Sequence, residues 1–417
     1  MSVAKQLASV AFLSVLGLLS LAAYSQTETH GEVWVGSWAA SQQIPEPQNA
    51  TTPDDLRDAT FREIVQLSVG GSTLRVHVSN AFGFQPMRFV SVHIARSVSP
   101  GSSAIVPETD RALTFDGRSE VTVPAGAEFL SDPVDLAVAP LSSLAITFYL
   151  EAPPTGETGH PGSRATSYFV HGDHVADAEL TGAKTVDHWY QIGEVDLLAP
   201  QGAGSVVALG DSITDGHAST TNGNDRWTDV LAERLQASPK TRDISVLNEG
   251  IGGNHLLTDG LGPNALARFD RDVLAPAAVR WVIVFEGVND LGALSRRGPA
   301  PPEAHKELVE RILSSYQQMI ERAHAHGLKV IGATITPFVG SDYYLPDAAI
   351  EADREDLNAW IRKPGHFDAV LDFDKVLRDP ADPERLLPAD DCGDHLHPNP
   401  KGYRALGDSV PLSLFAQ

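Results

Sequence analysis

A serine, a histidine and a carboxylate are spread over the second half of this chain in a pattern that fits acyl transfer. Ser212 lies in Ser205-Val-Val-Ala-Leu-Gly-Asp-Ser-Ile-Thr-Asp-Gly216, where the apolar run Val206–Leu209 breaks at Gly210. Such a run reads as a buried strand that delivers the serine onto a turn at the carboxyl edge of a sheet, where a nucleophile can be exposed. The stretch is not a G-x-S-x-G elbow, because Thr214 stands two residues after Ser212. A serine hydroxyl attacks only when a base takes its proton, and a histidine base needs a carboxylate to hold its tautomer. Asp394-His-Leu-His397-Pro398 supplies both on one loop, kept extended or turning by Pro398 and Pro400. The oxyanion then needs donors fixed in advance, each worth about 3–4 kcal/mol of barrier. Asn248-Glu-Gly-Ile-Gly-Gly-Asn254 offers bare backbone N–H groups, and Glu286-Gly-Val-Asn289-Asp290 offers a neutral side-chain amide. The expected roles are Ser212 as nucleophile, His397 as base then acid, and Asp394 as its orienting partner. The N–H groups of Ser212 and Gly253, with the Asn289 amide, form the expected oxyanion hole.

These stretches need a parallel sheet to bring them together. After Pro200, continuous apolar runs alternate with helical ones: Val206–Leu209, Ile244–Leu247, Trp281–Phe285, Val330–Thr334 and Phe367–Phe373 as strands. Helices are expected near 225–237, 265–274, 303–326, 349–361 and 403–414. Strands apolar on both faces and interleaved with helices predict an α/β layered domain. From Trp34 to about Pro200 the period is two, as in Thr73-Leu-Arg-Val-His-Val-Ser79, Val90–Ile94 and Leu144–Leu150. Turn clusters such as Gly70-Gly71 and Pro124-Ala-Gly126 separate these strands, which predicts an all-β sandwich or jelly-roll-like domain. Pro153-Pro154 and Gly156–Gly162 read as a long surface loop. The expected division is residues 1–25 as a leader, 32–201 as the β domain and 202–417 as the catalytic domain.

A chain of 417 residues is long for a single core. With 31 basic against 54 acidic residues, its net charge of −23 argues against a nucleic-acid partner. Lys5, the apolar run Val10–Ala23 and the small-x-small Ala23-Tyr24-Ser25 predict a cleaved export signal, hence a secreted or periplasmic protein with no stable membrane span afterwards. The single cysteine, Cys392, excludes an internal disulfide.

Taken together, the motifs resemble those of the SGNH hydrolases, also known as GDSL-type esterases and lipases. Gly210-Asp-Ser212-Ile-Thr is similar to the family's first block and Asn248-x-x-x-x-Gly253 to its second. Gly287-x-Asn289-Asp290 and Asp394-x-x-His397-Pro398 are similar to the third and last. In the second block Gly250, Gly252 and Gly253 are neighbours, and Gly253 is preferred for its distance from Asn248. The resemblance covers about residues 203–417 and implies a flavodoxin-like α/β/α fold and hydrolysis of carboxylic esters through an acyl-serine, with no metal or cofactor. Gly36-Ser-Trp38-Ala-Ala-Ser and Ser79-Asn80-Ala-Phe-Gly83 resemble the leading segment of secreted bacterial members.

Competing uses of the same residues are a metal site and structural support. Asp390, Asp391, Asp394, His395 and His397 could ligate zinc or calcium, but that would leave Ser212 and Asn289 without a role. Asp211, Asp215 and Asp290 are expected to shape loops, and His324 and His326 to cap a helix C-terminus. Trp34, Trp38 and Trp189 are candidates for a carbohydrate-binding face on the β domain. The expected partner is an acylated carbohydrate or a small ester; a general short-chain esterase, a lipase and a silent carbohydrate-binding protein are the alternatives.

Overall fold

A computed structural model describes residues 31–416. The expected leader falls outside the described residues. Two antiparallel sheets come first. One orders Glu32–Ala39, Ile192–Pro200 and Gly71–Ser79, the last pairing with both Glu128–Leu130 and Val134–Val138. The other runs Lys184–Val186, Ser167–His171, Ala59–Gln66, Ser143–Leu150, Ser91–Arg96 and Arg111–Ala112. Alternate residues of the two sheets meet in one core: Leu74, Val76, Val78 and Leu197 from the first, Phe61, Ile146, Phe148 and Phe169 from the second. Phe61 stacks between Phe148 and Phe169 with ring centroids 5.5 and 5.4 Å away.

The pattern changes at Gly204. Five parallel strands follow, Gly204–Gly210, Ile244–Gly250, Val279–Phe285, Lys329–Ala333 and Ala369–Leu371, and in space the second lies outside the first. Successive side chains of a strand point to opposite faces, and here both faces are buried. Val207, Leu209, Val282 and Val284 pack against helices α5 (Pro302–Ala325) and α6 (Ala348–Arg362). Val206, Ala208, Trp281 and Ile283 pack against α2 (Trp227–Ala237), α7 (Phe373–Leu377) and α8 (Pro400–Ser409). Continuous apolar strands are therefore what this sheet requires.

The outer strand Ile244–Gly250 is not left open. Ala40, following the first strand of the chain, bridges Asn248 in parallel, and Ser68 Oγ accepts from Val246 N at 2.9 Å. Covering an edge in this way removes a pairing hazard and joins the antiparallel part to the catalytic sheet. Among the described residues no helix is long and apolar enough to cross a membrane.

Several local expectations need correction. The second strand runs through Gly250, so Asn248-Glu249-Gly250 is strand paired with Ala208-Leu209-Gly210, not loop. The fifth strand is only Ala369–Leu371, and Phe373 already opens α7. The stretch read as the surface loop Gly156–Gly162 turns inward: Gly159-His160 pair with Trp189-Tyr190 and are buried. Trp38 and Trp189 are core residues in edge-to-face contact at 4.9 Å, so they present no flat platform to a sugar. His324 does not simply cap α5; its Nε2 lies 2.9 Å from Asp368 Oδ2.

Candidate active site

Ser212 opens the four-residue helix α1 (Ser212–Asp215) directly after the first parallel strand. Asp211 caps it, accepting from Ile213 N at 2.9 Å, and Gly216, at φ 100°, closes the turn with its N–H on Ser212 O at 2.9 Å. Crowding behind the turn explains two glycines. A Cβ on Gly210 would lie 2.1 Å from Thr214 Oγ1, and one on Gly250 would lie 2.2 Å from Asp215 N. Neither neighbour can give way without moving the nucleophile.

The loop before α8 brings the two remaining members. His397 Nε2 lies 2.7 Å from Ser212 Oγ, and His397 Nδ1 lies 2.6 Å from Asp394 Oδ2. Since an ionised carboxylate only accepts, Nδ1 carries the proton and Nε2 is left to accept from the serine hydroxyl. The other carboxylate oxygen accepts from Leu396 N at 3.0 Å and His397 N at 2.9 Å, so the loop fixes the acid as well as the base. Burial pushes the Asp394 carboxyl up, but the hydrogen bond and charge of His397 and the two backbone amides outweigh it, holding the group well below the usual carboxylate range.

The segment that carries Gly253 leaves the second strand beside the serine turn, with Ile251 N donating to Gly210 O at 3.0 Å. Among the described residues the N–H groups of Ser212 and Gly253 meet no protein acceptor, and the same holds for Gly252. Gly253 sits at φ 64°, a left-handed position that favours glycine. Asn289, in the first turn of α4 (Val288–Ser295), is buried and held at both ends of its amide. Its Nδ2 donates to Asn254 O at 2.8 Å, and its Oδ1 accepts from Tyr344 OH at 2.7 Å. Burial pushes the Tyr344 phenol up to about 12, so it remains a donor. One Nδ2 hydrogen of Asn289 is left for a ligand.

Three residues that frame the site were missed in the sequence reading. Tyr344 is one. Arg268, fully buried in α3 (Ala265–Phe269), donates to Asn254 Oδ1 at 2.8 Å, Gly210 O at 3.0 Å, Glu249 O at 2.6 Å and Ser41 Oγ at 2.7 Å. It ties the ends of the first two parallel strands to the antiparallel part. A charged residue inside an otherwise apolar helical turn was the available signal. His217 is the third; its ring lies 4.0 Å from that of His397, and its backbone O accepts from Tyr403 OH at 2.6 Å.

The acidic residues behind the serine are supports. Asp290 accepts from Leu256 N and Leu257 N at 2.8 and 3.1 Å, and Asp215 faces His160 Nε2 at 2.9 Å. Burial, reinforced by neighbouring Asp290 and Asp215 against the opposing Arg268, raises Asp211 to about 7.

His217, Asp394 and His397 could present ligand atoms to one cation, as could Asp391, Cys392 and Asp394. The first set could do so only by taking His397 away from Ser212 or Asp394. Asp390 instead pairs with Lys401 at 2.8 Å, and exposed His395 with Asp391 at 2.7 Å. Cys392 is exposed, and burial of its thiol, followed by neighbouring acids, holds it up at about 11, far from a thiolate nucleophile.

A parallel α/β sheet that presents a hydrogen-bonded serine, histidine and aspartate beside free amide donors is the framework of a serine-dependent carboxylic ester hydrolase. Residues 208–405 match the model of the GDSL-like Lipase/Acylhydrolase family. No curated protein matches the chain. Among solved structures it is similar to a protein of the G-D-S-L family from Desulfitobacterium hafniense DCB-2, at 26% identity over 49% of this chain and 96% of that one, TM-score 0.36. A GDSL-like lipase from Bacteroides thetaiotaomicron VPI-5482 is 21% identical over 51% of this chain and 87% of that one, TM-score 0.37. An acetylxylan esterase from Geobacillus stearothermophilus is 19% identical over 49% and 91%, TM-score 0.36.

Proposed function

We propose that the protein is an exported serine esterase that removes short acyl groups, acetyl foremost, from carbohydrate. The hydrogen-bonded chain from Asp394 through His397 to Ser212 carries the reading. Ser212 Oγ attacks the ester carbonyl as His397 Nε2 takes its proton. The carbonyl oxygen becomes an oxyanion received by the N–H groups of Ser212 and Gly253 and by Asn289 Nδ2. His397 then returns the proton to the leaving alcohol, and a water activated by the same imidazole releases the acid and restores Ser212. Asp394 keeps its charge throughout and holds the imidazole in register.

Support for a short acyl group comes from the packing beyond Asn289. Tyr344 fills that space so closely that a Cβ on Gly292 would lie 2.3 Å from its ring. Support for a polar alcohol comes from the rim, where His217 and half-exposed Tyr343 adjoin His397 and Arg164 adjoins His217. Export rests on the leader pattern around Lys5 and Val10–Ala23. The antiparallel part, residues 32–201, serves as a wall of the cleft, and 202–417 is the catalytic, flavodoxin-like domain. A chain-length series of aryl esters run beside acetylated polysaccharides tests the substrate class. Acetate release from polymer with sharp loss beyond butyrate is the expected result; a preference for long acyl chains overturns it.

A further inference from the structure

One cation at the mouth of this site has no partner of opposite charge among the described residues. Arg164 comes from the antiparallel part, on the segment that follows buried His160. Its Nη2 lies 3.3 Å from His217 Nδ1, and its Nε, although buried, meets no acceptor. No carboxylate pairs with it among the described residues, whereas the buried arginines of the parallel-sheet part do meet carboxylates, Arg268 and Arg354 at least two each and Arg226 one.

The segment that carries Arg164 is held rigidly. His160 reaches Ser41 O at 2.7 Å and Asp215 Oδ1 at 2.9 Å, and Arg226 donates to Ser163 O. Arg164 O accepts from Asn222 N at 2.8 Å, and Asn222 Oδ1 accepts from Thr166 N at 2.8 Å. Arg164 itself sits at φ 48°, a left-handed conformation uncommon for a residue other than glycine and costly to maintain. These contacts fix the backbone from which the guanidinium reaches His217, whose ring lies tilted 4.0 Å from that of His397 and edge-on to Tyr343 at 6.3 Å.

We propose that Arg164 is a carboxylate receptor beside the nucleophile, and that the preferred ester carries one carboxylate on its acyl or its alcohol part. This rests on the serine-esterase reading above. A guanidinium presents paired N–H groups that match a carboxylate in a two-point contact, and the Nη groups of Arg164, whose one contact is Nη2 with His217, have donors left to make one. A single cation suits a single negative charge; a polyanion would need several. In a chain of net charge −23 the long-range field does nothing to attract an anion, so discrimination has to be made by contact at the site.

The test compares matched pairs of neutral and anionic esters. One arm sets ethyl butyrate against monoethyl succinate, matched in acyl length and followed by acid release, placing the charge on the acyl side. The other sets a monoacetylated methyl glucoside against the corresponding glucuronoside, placing it on the alcohol side. In one arm the wild type is expected to favour the anionic member in kcat/KM by about tenfold or more, as a charge-assisted two-point contact allows. Arg164→Gln should bring that ratio down towards one, and Arg164→Lys should keep part of it. A wild-type ratio of one or less in both arms overturns the proposal without any variant. So does an Arg164→Gln protein that loses both members equally, which would make Arg164 only a support for His217. Fluorophosphonate labelling of the same samples separates the two levels: labelled enzyme without the preference sinks this proposal alone, whereas unlabelled, inert wild type sinks the esterase reading with it.

Discussion

The two sides of Ser212 are built differently. On the base side, His397 and its orienting Asp394 are three residues apart on one loop, and that loop also supplies both amides that fix the carboxylate. On the oxyanion side, the Asn289 amide is set by Asn254 and Tyr344, 35 and 55 residues away. Asn254 is in turn held by Arg268, which reaches across to Ser41 in the antiparallel part. The base side is thus a local device, and the oxyanion side depends on tertiary packing. Damage on the first should be chemical and abrupt; damage on the second should be graded and shared among residues.

The largest effect tests the first half of that contrast. Ser212→Ala should abolish fluorophosphonate labelling and lower kcat by at least about 10⁴-fold, and His397→Ala should do the same, because the two act as one unit. Combining them should cost little more than either alone. Additive losses in the double variant would show that the serine and histidine do not work as a pair.

On the oxyanion side, Asn289→Ala should lower kcat by about 10²–10³-fold with KM little changed, since the donor is used most in the transition state. Tyr344→Phe removes the hydroxyl that orients Asn289 while leaving the ring in place, so its loss should be about tenfold and again in kcat. Because Tyr344 works through Asn289, the double variant should resemble Asn289→Ala alone. A Tyr344→Phe effect that persists in full in the Asn289→Ala background would break the proposed line from phenol to amide.

This contrast also explains what could be read from the chain. Asp394-x-x-His397-Pro398 is legible because the chemistry sits within one short segment, and the strand ending at Gly210 places Ser212 by its apolar run alone. The parallel sheet was legible for the same reason: its strands must be apolar on both faces. Tyr344 carried no such mark, since nothing in a single loop tyrosine says that it will meet an amide 55 residues earlier. The Gly156–Gly162 stretch misled because its glycines allow close approach of backbone, here Gly159 beside Trp189, as readily as they allow a solvent loop. Trp38 and Trp189 left two readings open because a large aromatic fits a core or a binding face equally well until its neighbours are known. Gly159-His160 and Arg268 escaped where the antiparallel and parallel sheets meet, His160 on Asp215 and Arg268 on Ser41.

The smallest expected effect concerns His217, where the two parts meet at the rim. Burial, then the proximity of His397 and Arg164, lowers its pKa from 6.5 to about 4 against the opposing pull of Asp394 and Asp215. The folded protein therefore binds fewer protons at this ring than the unfolded chain does between those values, so its contribution to stability is complete above about pH 6.5 and declines as the pH falls towards 4. The ring is 35% exposed, and solvent screening keeps the effect small. In His217→Asn that part of the acid-side decline should vanish, leaving the thermal midpoint about 1–2 °C less dependent on pH over this window. Raising the salt concentration should shrink the difference further by screening the charges around the ring. If His217→Asn shows the same acid-side slope as the wild type, the ring is not held neutral by its neighbours, and the Arg164 contact that helps to hold it so is weaker than its geometry implies.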